Sequence, residues 1–251
     1  MLKAIRITLL SLICVALVVF MITLINNGFS FKNMKRKLIY NESFELTNIE
    51  KINIKSKSSD INIYESDNDQ IIIKVYGNEK NKVDVINEED TLSINLRSKS
   101  NVCFGICLGS KIDVYVPSTF EGKFNIDTTS GDINSELSSY NDYVINVTSG
   151  DIELNNANSL TGKATSGDVE INKLNSYIDF KTTSGDIEID EFIVNKNSSI
   201  KVTSGDVSID KCLNAYVEAS VKSGDIDINK NDRHAEFELK ITTTSGDIEV
   251  N

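Results

Sequence analysis

Apolar and polar residues alternate along the second half of this chain, and a Ser-Gly-Asp triplet followed by Ile or Val interrupts the alternation repeatedly. Counted from the serine as zero, positions −6 and −4 are mostly apolar, as in Ile178 and Phe180. Positions +3 and +5 are apolar again, as in Ile187 and Ile189. Period-two alternation predicts β-strands with one buried face. The triplets begin at Ser130, Ser149, Ser166, Ser184, Ser204, Ser223 and Ser245.

Successive triplets are 17 to 22 residues apart, and a near-constant period of this length predicts a stacked repeat architecture. The inward positions are even before the glycine and odd after it, so each triplet is expected to form a corner between two strands. Glycine tolerates the positive φ of such a corner, and aspartate can accept backbone N–H bonds within it. The predicted corner glycines are Gly131, Gly150, Gly167, Gly185, Gly205, Gly224 and Gly246. A second, polar corner is expected in the Asn-, Lys- and Ser-rich spacers, such as 155–158 and 195–198.

The sequence therefore predicts an all-β, β-helix-like solenoid over residues 118–251, with coils of about 19 residues. Residues 44–117 also alternate and predict a β-rich N-terminal cap, or the start of the solenoid interrupted by hairpins. Within this stretch, Ser58-Ser59-Asp60 resembles a worn copy of the triplet, with Ser59 in place of glycine. A solenoid needs its apolar end covered, and this region is the candidate cap.

The beginning of the chain predicts one transmembrane helix. Residues 7–25 contain no charged side chain, and 19 helical residues span about 28 Å, close to the hydrocarbon thickness of a bilayer. Residues 1–6 form a short tail and residues 26–43 a basic juxtamembrane linker. Basic residues flank the apolar segment on both sides, so the positive-inside count does not decide its orientation. We expect a single-pass protein of the cell membrane with its β domain outside the cytoplasm.

The net charge of −11 is unevenly distributed. Residues 1–37 carry six basic and no acidic side chains, whereas residues 118–251 carry 11 basic and 24 acidic ones. Nucleic acid is excluded as a partner, because phosphate contacts need clustered Lys and Arg. The outward position +4 is often acidic, as in Glu153, Glu170 and Glu188. This acidic surface is expected to contact a protein or an envelope polymer whose identity the sequence leaves open.

The cysteines are few. Cys103 and Cys107 form a C-x3-C pair with no histidine nearby, which lacks the four ligands of a structural zinc site. A local disulfide and a pair of small apolar loop residues are the two interpretations, and the first requires an oxidising compartment. Cys212 lies singly in a spacer.

The triplet aspartates are the only candidate metal ligands. If the coils stack in register, these residues form one ladder, and neighbouring carboxylates would repel by roughly 1 kcal/mol each even in water. A calcium ion could relieve this repulsion, but each coil offers fewer oxygen atoms than the six to eight that calcium prefers. Turn stabilisation is therefore favoured over metal binding, and no cofactor is expected. The residues of the calcium alternative are Asp132, Asp151, Asp168, Asp186, Asp206, Asp225 and Asp247.

No catalytic constellation emerges from the sequence. The single histidine, His234, lies in a polar spacer, and the carboxylates are distributed as on an exposed face rather than clustered with arginine. We expect a non-catalytic protein. The alternatives to a binding or scaffold role are a calcium-binding repeat domain and a passive structural spacer.

The apolar N-terminal segment, a strand ending in Val114-Tyr115-Val116-Pro117 and the serial Thr-Ser-Gly-Asp-Ile/Val units together resemble one family. This is the bacterial "putative adhesin" family of β-strand-repeat proteins, also called toast-rack domains. The similarity covers residues 44–251. The sixth copy departs from the pattern, with Lys222 in place of threonine before the serine. The resemblance implies an adhesin or an envelope-stress sensing module and supplies no catalytic residues.

Overall fold

The computed structural model describes residues 36–97, 109–229 and 231–251, which form a 19-stranded β structure without α-helix. The strands are β1 (Lys37–Glu45), β2 (Lys51–Lys55), β3 (Ser59–Ser66), β4 (Gln70–Gly77), β5 (Lys82–Glu88), β6 (Thr91–Arg97), β7 (Ser110–Pro117), β8 (Lys123–Ser130), β9 (Ile133–Ser135), β10 (Asn141–Ser149), β11 (Ile152–Ser166), β12 (Val169–Ser184), β13 (Ile187–Ile193), β14 (Ser198–Ser204), β15 (Val207–Leu213), β16 (Ala215–Ser223), β17 (Ile226–Ile228), β18 (Phe237–Ser245) and β19 (Ile248–Val250).

The Ser-Gly-Asp copies stack as coils, with their serines in register. Ser149 pairs with Ser130 on one side and Ser166 on the other, and the strands on both sides of each corner pair in parallel with those of the adjacent coil. The predicted all-β, solenoid-like repeat is confirmed. The worn triplet also belongs to the stack, because Ser58 bridges Ser130 and β3 pairs with β9.

The inward positions of both strands of each coil form one continuous hydrophobic core. Ile187 and Ile189 after the corner are fully buried, and Phe180 before it is 1% exposed. An aromatic group fills the core near the first copies: Phe124 stacks on Tyr143 with ring centroids 5.4 Å apart, and Phe120 meets Phe124 edge-on. A single coil could not bury these side chains, so the stacking of neighbours stabilises the fold.

A buried hydrogen bond explains why the first copy has a serine at position +5. The Ser135 Oγ and the Tyr143 hydroxyl lie 2.8 Å apart in the core, where both residues are almost completely buried. We expect Ser135→Ala and Tyr143→Phe each to lower the free energy of unfolding by about 1–3 kcal/mol, because one polar partner stays buried without a bond. The double variant should cost less than the sum of the two. Chemical denaturation of the four proteins measures this coupling, and strict additivity would contradict the bond.

The last three copies do not stack in chain order. The strand β14 pairs with β18, and β18 pairs with β16, so the copy at Ser245 lies between those at Ser204 and Ser223. The strands after the corners follow the same order, β15, β19 and β17. The interval between Ser223 and Ser245 is the longest between two triplets. Over this interval the chain returns to the position between the copies at Ser204 and Ser223.

The N-terminal end shows the same interleaving. The strands β2 and β3 lie between β8 and β9 on one side and β6 and β7 on the other. Antiparallel strands then close this end: β5 pairs with β6, and β4 pairs with both β7 and β1. The strand β1 begins inside the range assigned to the linker 26–43, because its residues pair along β4. Pro117 ends β7, where the hairpins give way to regular coils.

One predicted polar corner is instead part of a strand. Residues 155–158 lie within β11, which runs from Ile152 to Ser166 with a register irregularity between Ala157 and Ser159. The side-chain amides of Asn155 and Asn156 donate to the Leu137 and Ser138 carbonyls of the adjacent coil. These bonds satisfy backbone groups at the bend, so pairing continues through it. Residues 194–197 separate β13 from β14, so the predicted corner 195–198 lies between two strands except for Ser198, which begins β14.

Across the residues that the structure covers, no helix has the length and apolar character needed to cross a bilayer. Four features predicted from the sequence lie outside the described residues and stay predictions. They are the tail 1–6, the transmembrane span 7–25, the linker up to residue 35 and the pair Cys103 and Cys107.

Candidate binding faces

Each Ser-Gly-Asp corner is a tight junction between neighbouring coils. The corner glycines have φ between 117° and 144°. At the corner of the fourth copy, the Gly185 N–H donates to the Ser204 carbonyl at 3.1 Å, and the Ile187 N–H donates to the Asp206 carbonyl at 2.9 Å. Backbone hydrogen bonding between coils therefore continues around the corner. This tight packing leaves no space for a side chain at Gly185.

The triplet aspartates form a ladder of hydrogen bonds. The Oδ1 of Asp151 accepts the N–H of Asp168 at 2.9 Å, and the Oδ1 of Asp168 accepts the N–H of Asp186 at 2.9 Å. The same bond joins the other neighbouring pairs at 2.7 to 3.1 Å, in the stacking order Asp132, Asp151, Asp168, Asp186, Asp206, Asp247, Asp225. One oxygen of each carboxylate except the last thus binds the next coil, and the side chains are exposed.

We expect Asp168→Ala to lower the free energy of unfolding by about 1 kcal/mol, because the Asp186 N–H loses its acceptor. Asp168→Asn keeps an acceptor oxygen and removes one of a row of like charges, so its stability should equal or exceed that of the wild type. Thermal denaturation of both variants measures the difference. If both variants lose the same free energy of unfolding, the charge of Asp168 and not its hydrogen bond stabilises the corner.

The ladder presents its carboxylates singly and not as a cluster. Within the described ranges, no group of three or more His, Cys, Asp or Glu side chains is arranged to hold a metal ion. Each coil contributes one carboxylate to the ladder. One oxygen of each carboxylate already accepts a hydrogen bond from the next coil, except in Asp225 at the end of the stack. Calcium binding by these residues stays the alternative to turn stabilisation, and a calcium titration would test it.

The outer face that follows the corners is acidic along the whole stack of Ser-Gly-Asp copies. Its rows are positions +2, +4 and +6, and every residue in them is Asp, Glu, Asn or Ser. The +2 row is the aspartate ladder. The +4 and +6 rows carry the carboxylates of Glu136, Glu153, Glu170, Glu188, Asp190, Asp210, Asp227 and Glu249. Register pairs such as Glu153–Glu170 and Glu170–Glu188 place like charges side by side, so a cationic partner would relieve their repulsion. We call this surface the acidic face.

The outer face that precedes the corners has a different chemistry. Position −1 is Thr in every copy except at Lys222, and position −3 holds Lys163, Lys181 and Lys201 in three consecutive coils. These lysines are register partners and are exposed. A shallow groove of about 390 Å³ runs between Lys55, Lys163 and the threonine row. We call this surface the lysine face.

The corner therefore separates two faces of unlike charge, which the sequence analysis did not identify. The sequence pattern predicts the +2 and +4 rows and an acidic surface along the whole solenoid. The signal for the lysine face was present, because lysine recurs at position −3 of the copies at Ser166, Ser184 and Ser204. Extending the period-two parity outward from the buried positions would have separated the two faces.

A tyrosine and lysine cluster covers the outer face near the N-terminal end. Tyr64 packs on Tyr115 with ring centroids 5.2 Å apart, and the Lys74 ammonium lies 4.7 Å above the Tyr115 ring. Beneath them Asp113 is 3% exposed and is held by Lys111 at 3.1 Å and by the Asn62 amide at 3.1 Å. Burial raises the pKa of Tyr115, and the Asp113 charge adds to this shift. These side chains satisfy one another, so the cluster is a structural cover where hairpins join the coils.

Cys212 is the one cysteine that the structure describes as free. It is partly buried, and burial raises the pKa of its thiol to about 11. The thiol is therefore protonated at neutral pH and weakly nucleophilic. His234 is exposed in a turn, where its backbone N–H donates to Asp232 Oδ1 at 2.9 Å.

A family model described as Toastrack DUF4097 matches residues 49–251. A solved "putative adhesin" from Parabacteroides distasonis aligns with 13% identity and a TM-score of 0.51, over 86% of this chain and 98% of that one. A "putative adhesin" from Bacteroides fragilis aligns with 16% identity and a TM-score of 0.44, over 87% of this chain and 99% of that one. The similarity to the Parabacteroides distasonis protein extends to the fold alone. Comparison with curated proteins gives no match.

Proposed function

The chain belongs to the Toastrack DUF4097 family, and we propose that it is a membrane-anchored, non-catalytic protein of the cell envelope that binds a cationic partner through its acidic face. The observation that carries this proposal is the segregation of charge by the corners. The outward rows +2, +4 and +6 after the corners lack basic side chains, and basic residues return only at +7, as in Lys173 and Lys211. Before the corners, lysines recur at position −3. A protein that needed charge only for solubility would gain as much from interspersed signs.

The repetition of the acidic face supports an extended cationic partner. Neighbouring coils present equivalent carboxylates about 4.8 Å apart, so contacts repeat along the stack. An extended basic segment of a protein or a polycationic polymer can use several coils at once, and weak contacts then add up. A single reacting group would not need such repetition. This argument supports binding or sensing over catalysis.

The membrane part of the proposal rests on the sequence of the first 37 residues. The uncharged segment 7–25 has the length of a bilayer span, and the flanking residues are basic without any acidic side chain. The strand β1 begins at Lys37 and belongs to the hairpin end of the stack. An anchor formed by residues 7–25 would therefore be continuous in sequence with the strand that belongs to the hairpin end of the stack.

Binding of the detergent-solubilised full chain to immobilised poly-lysine at physiological salt tests the face. Replacing Glu153, Glu170 and Glu188 with glutamine should weaken binding about tenfold, at a few tenths of a kcal/mol or more per exposed charge. The matched control replaces Lys163, Lys181 and Lys201 with glutamine, which makes the chain more acidic and should leave binding equal or tighter. If the lysine variant loses binding and the glutamate variant does not, the acidic face is not the binding surface.

A further inference from the structure

The copy at Ser223 forms the C-terminal end of the stack and leaves an edge of the sheet uncovered. Among the described strands, β16 pairs only with β18, and β17 pairs only with β19. The opposite edge of β16 therefore has no strand neighbour. Along a parallel strand, alternate residues point their N–H and C=O groups to the same side. Unpaired edges of this kind are templates for pairing with another chain.

One side chain occupies this edge. The Asn231 Oδ1 accepts the Val217 N–H at 2.9 Å, and the Asn231 Nδ2 donates to the Val217 carbonyl at 2.9 Å. Both backbone groups of Val217 are thus bound by one amide, as they would be by a neighbouring strand. A turn holds the amide in place: Asp232 accepts the N–H of His234 with its side chain and that of Ala235 with its carbonyl.

The rest of the edge has no hydrogen-bond partner among the residues that the structure describes. By alternation, Ala219 and Val221 point their backbone groups to the same side as Val217. The inward residues of this strand are small, and Ile226 in the following strand is 44% exposed. This coil is therefore less completely buried than the coils inside the stack.

We propose that this edge is a docking surface for a second copy of the chain and that the Asn231 amide keeps it closed. The argument for a second copy is the self-complementary charge of β16. In a two-fold antiparallel pairing with Ser220 on the axis, Glu218 lies opposite Lys222 of the other copy, twice. Ala219 then faces Val221 as a hydrogen-bonded pair, which uses the open groups. An isologous contact of this kind closes as a dimer and does not extend into a fibre.

Lys222 is the residue by which the sixth copy departs from the repeat. Threonine in its place would leave Glu218 without an opposite charge in this pairing. Glu218 also binds Lys240 of β18 at 2.8 Å, an exposed pair that positions its carboxylate on the outer face. The two charges therefore specify the register of the pairing, and Asn231 controls whether it can form.

Sedimentation of the detergent-solubilised full chain tests the proposal. Asn231→Ala should shift the protein from monomer to dimer with an apparent Kd at least tenfold lower than that of the wild type. The matched control is Asn195→Ala, which removes an amide bond to the Asn175 carbonyl at a corner inside the stack. This control should stay as monomeric as the wild type. A folded Asn231→Ala variant that remains monomeric at the highest attainable concentration would overturn the proposal.

Charge reversal tests the register. Adding Lys222→Glu to Asn231→Ala places Glu opposite Glu and should abolish the dimer. Adding Glu218→Lys as well exchanges the two charges and should restore it. A dimer that ignores Lys222→Glu forms through another surface, and this would also overturn the proposal.

Hydrogen exchange of the wild-type chain gives a readout that does not depend on a variant that folds. The Val217 amide, bound by Asn231, should exchange more slowly than those of Ala219 and Val221 by at least tenfold. Equal rates at the three positions would show that Asn231 does not protect the edge.

Discussion

Gly185→Val should lower the free energy of unfolding by about 3–5 kcal/mol, one of the two largest effects expected of a single change. Two causes add. Gly185 has φ +119°, a region in which a β-branched residue is strained by about 1–3 kcal/mol. A Cβ there would also lie 2.1 Å from the Gly167 carbonyl oxygen, and relieving that overlap costs about 1–3 kcal/mol more.

Two controls separate the corner from an ordinary surface position. Gly109→Ala places its Cβ 3.8 Å from the nearest atom, the Ser58 carbonyl oxygen, and should change stability by less than about 0.5 kcal/mol. Glu188→Ala, three residues after Gly185 on the acidic face, should be equally mild. Thermal melts compare the variants directly. If Gly185→Val melts at the same temperature as Glu188→Ala, the corner interpretation is wrong.

Phe180→Ala should cost about 3–5 kcal/mol, the usual range for removing a buried aromatic ring. Phe180 is 1% exposed, and its register partners are Gly162 and Ile200.

Phe180→Leu retains most of the volume and should cost about 1–2 kcal/mol. Lys181→Ala changes the adjacent exposed residue and should be nearly neutral. Urea denaturation with constant m-values ranks the three. A loss below about 1 kcal/mol for Phe180→Ala would mean that the coils do not share one packed core.

The repeat geometry could be predicted from sequence because parity and period constrain it strongly. A residue such as Ile187 must face inward if Ile189 does. The change of parity between Phe180 and Ile187 then requires a corner at Gly185. The same logic located the aspartate ladder. It would have located the lysine face as well, had the parity been followed outward from Phe180 to Lys181.

The stacking order could not be predicted in this way. The copies at Ser223 and Ser245 have the same triplet and the same alternation, so period and parity allow either of them to pair with β14. Two weak signals of the stacking order were present in the sequence. They are the small inward residues of β16, such as Ala215 and Ala219, and the long segment before Ser245. Small side chains suit a terminal coil, which has a neighbour on only one side.

The hydrogen-bond partners of individual side chains could not be predicted from the sequence either. Asn231 and Asn155 are both spacer asparagines, yet one binds an edge strand and the other bridges two coils inside the stack. Their roles depend on which strand lies beside them, and this follows from the stacking order. Ser135 shows the same dependence, because its partner Tyr143 belongs to the next coil.

The most direct test of the account is the location of the acidic face in intact cells. In a full chain with its native cysteines replaced by serine, Glu170→Cys places a thiol on that face, and Ile171→Cys is the buried control. A membrane-impermeant maleimide should label Glu170→Cys equally in intact and lysed cells, and Ile171→Cys in neither. Labelling of Glu170→Cys only after lysis would place the face in the cytoplasm and contradict the proposed envelope function.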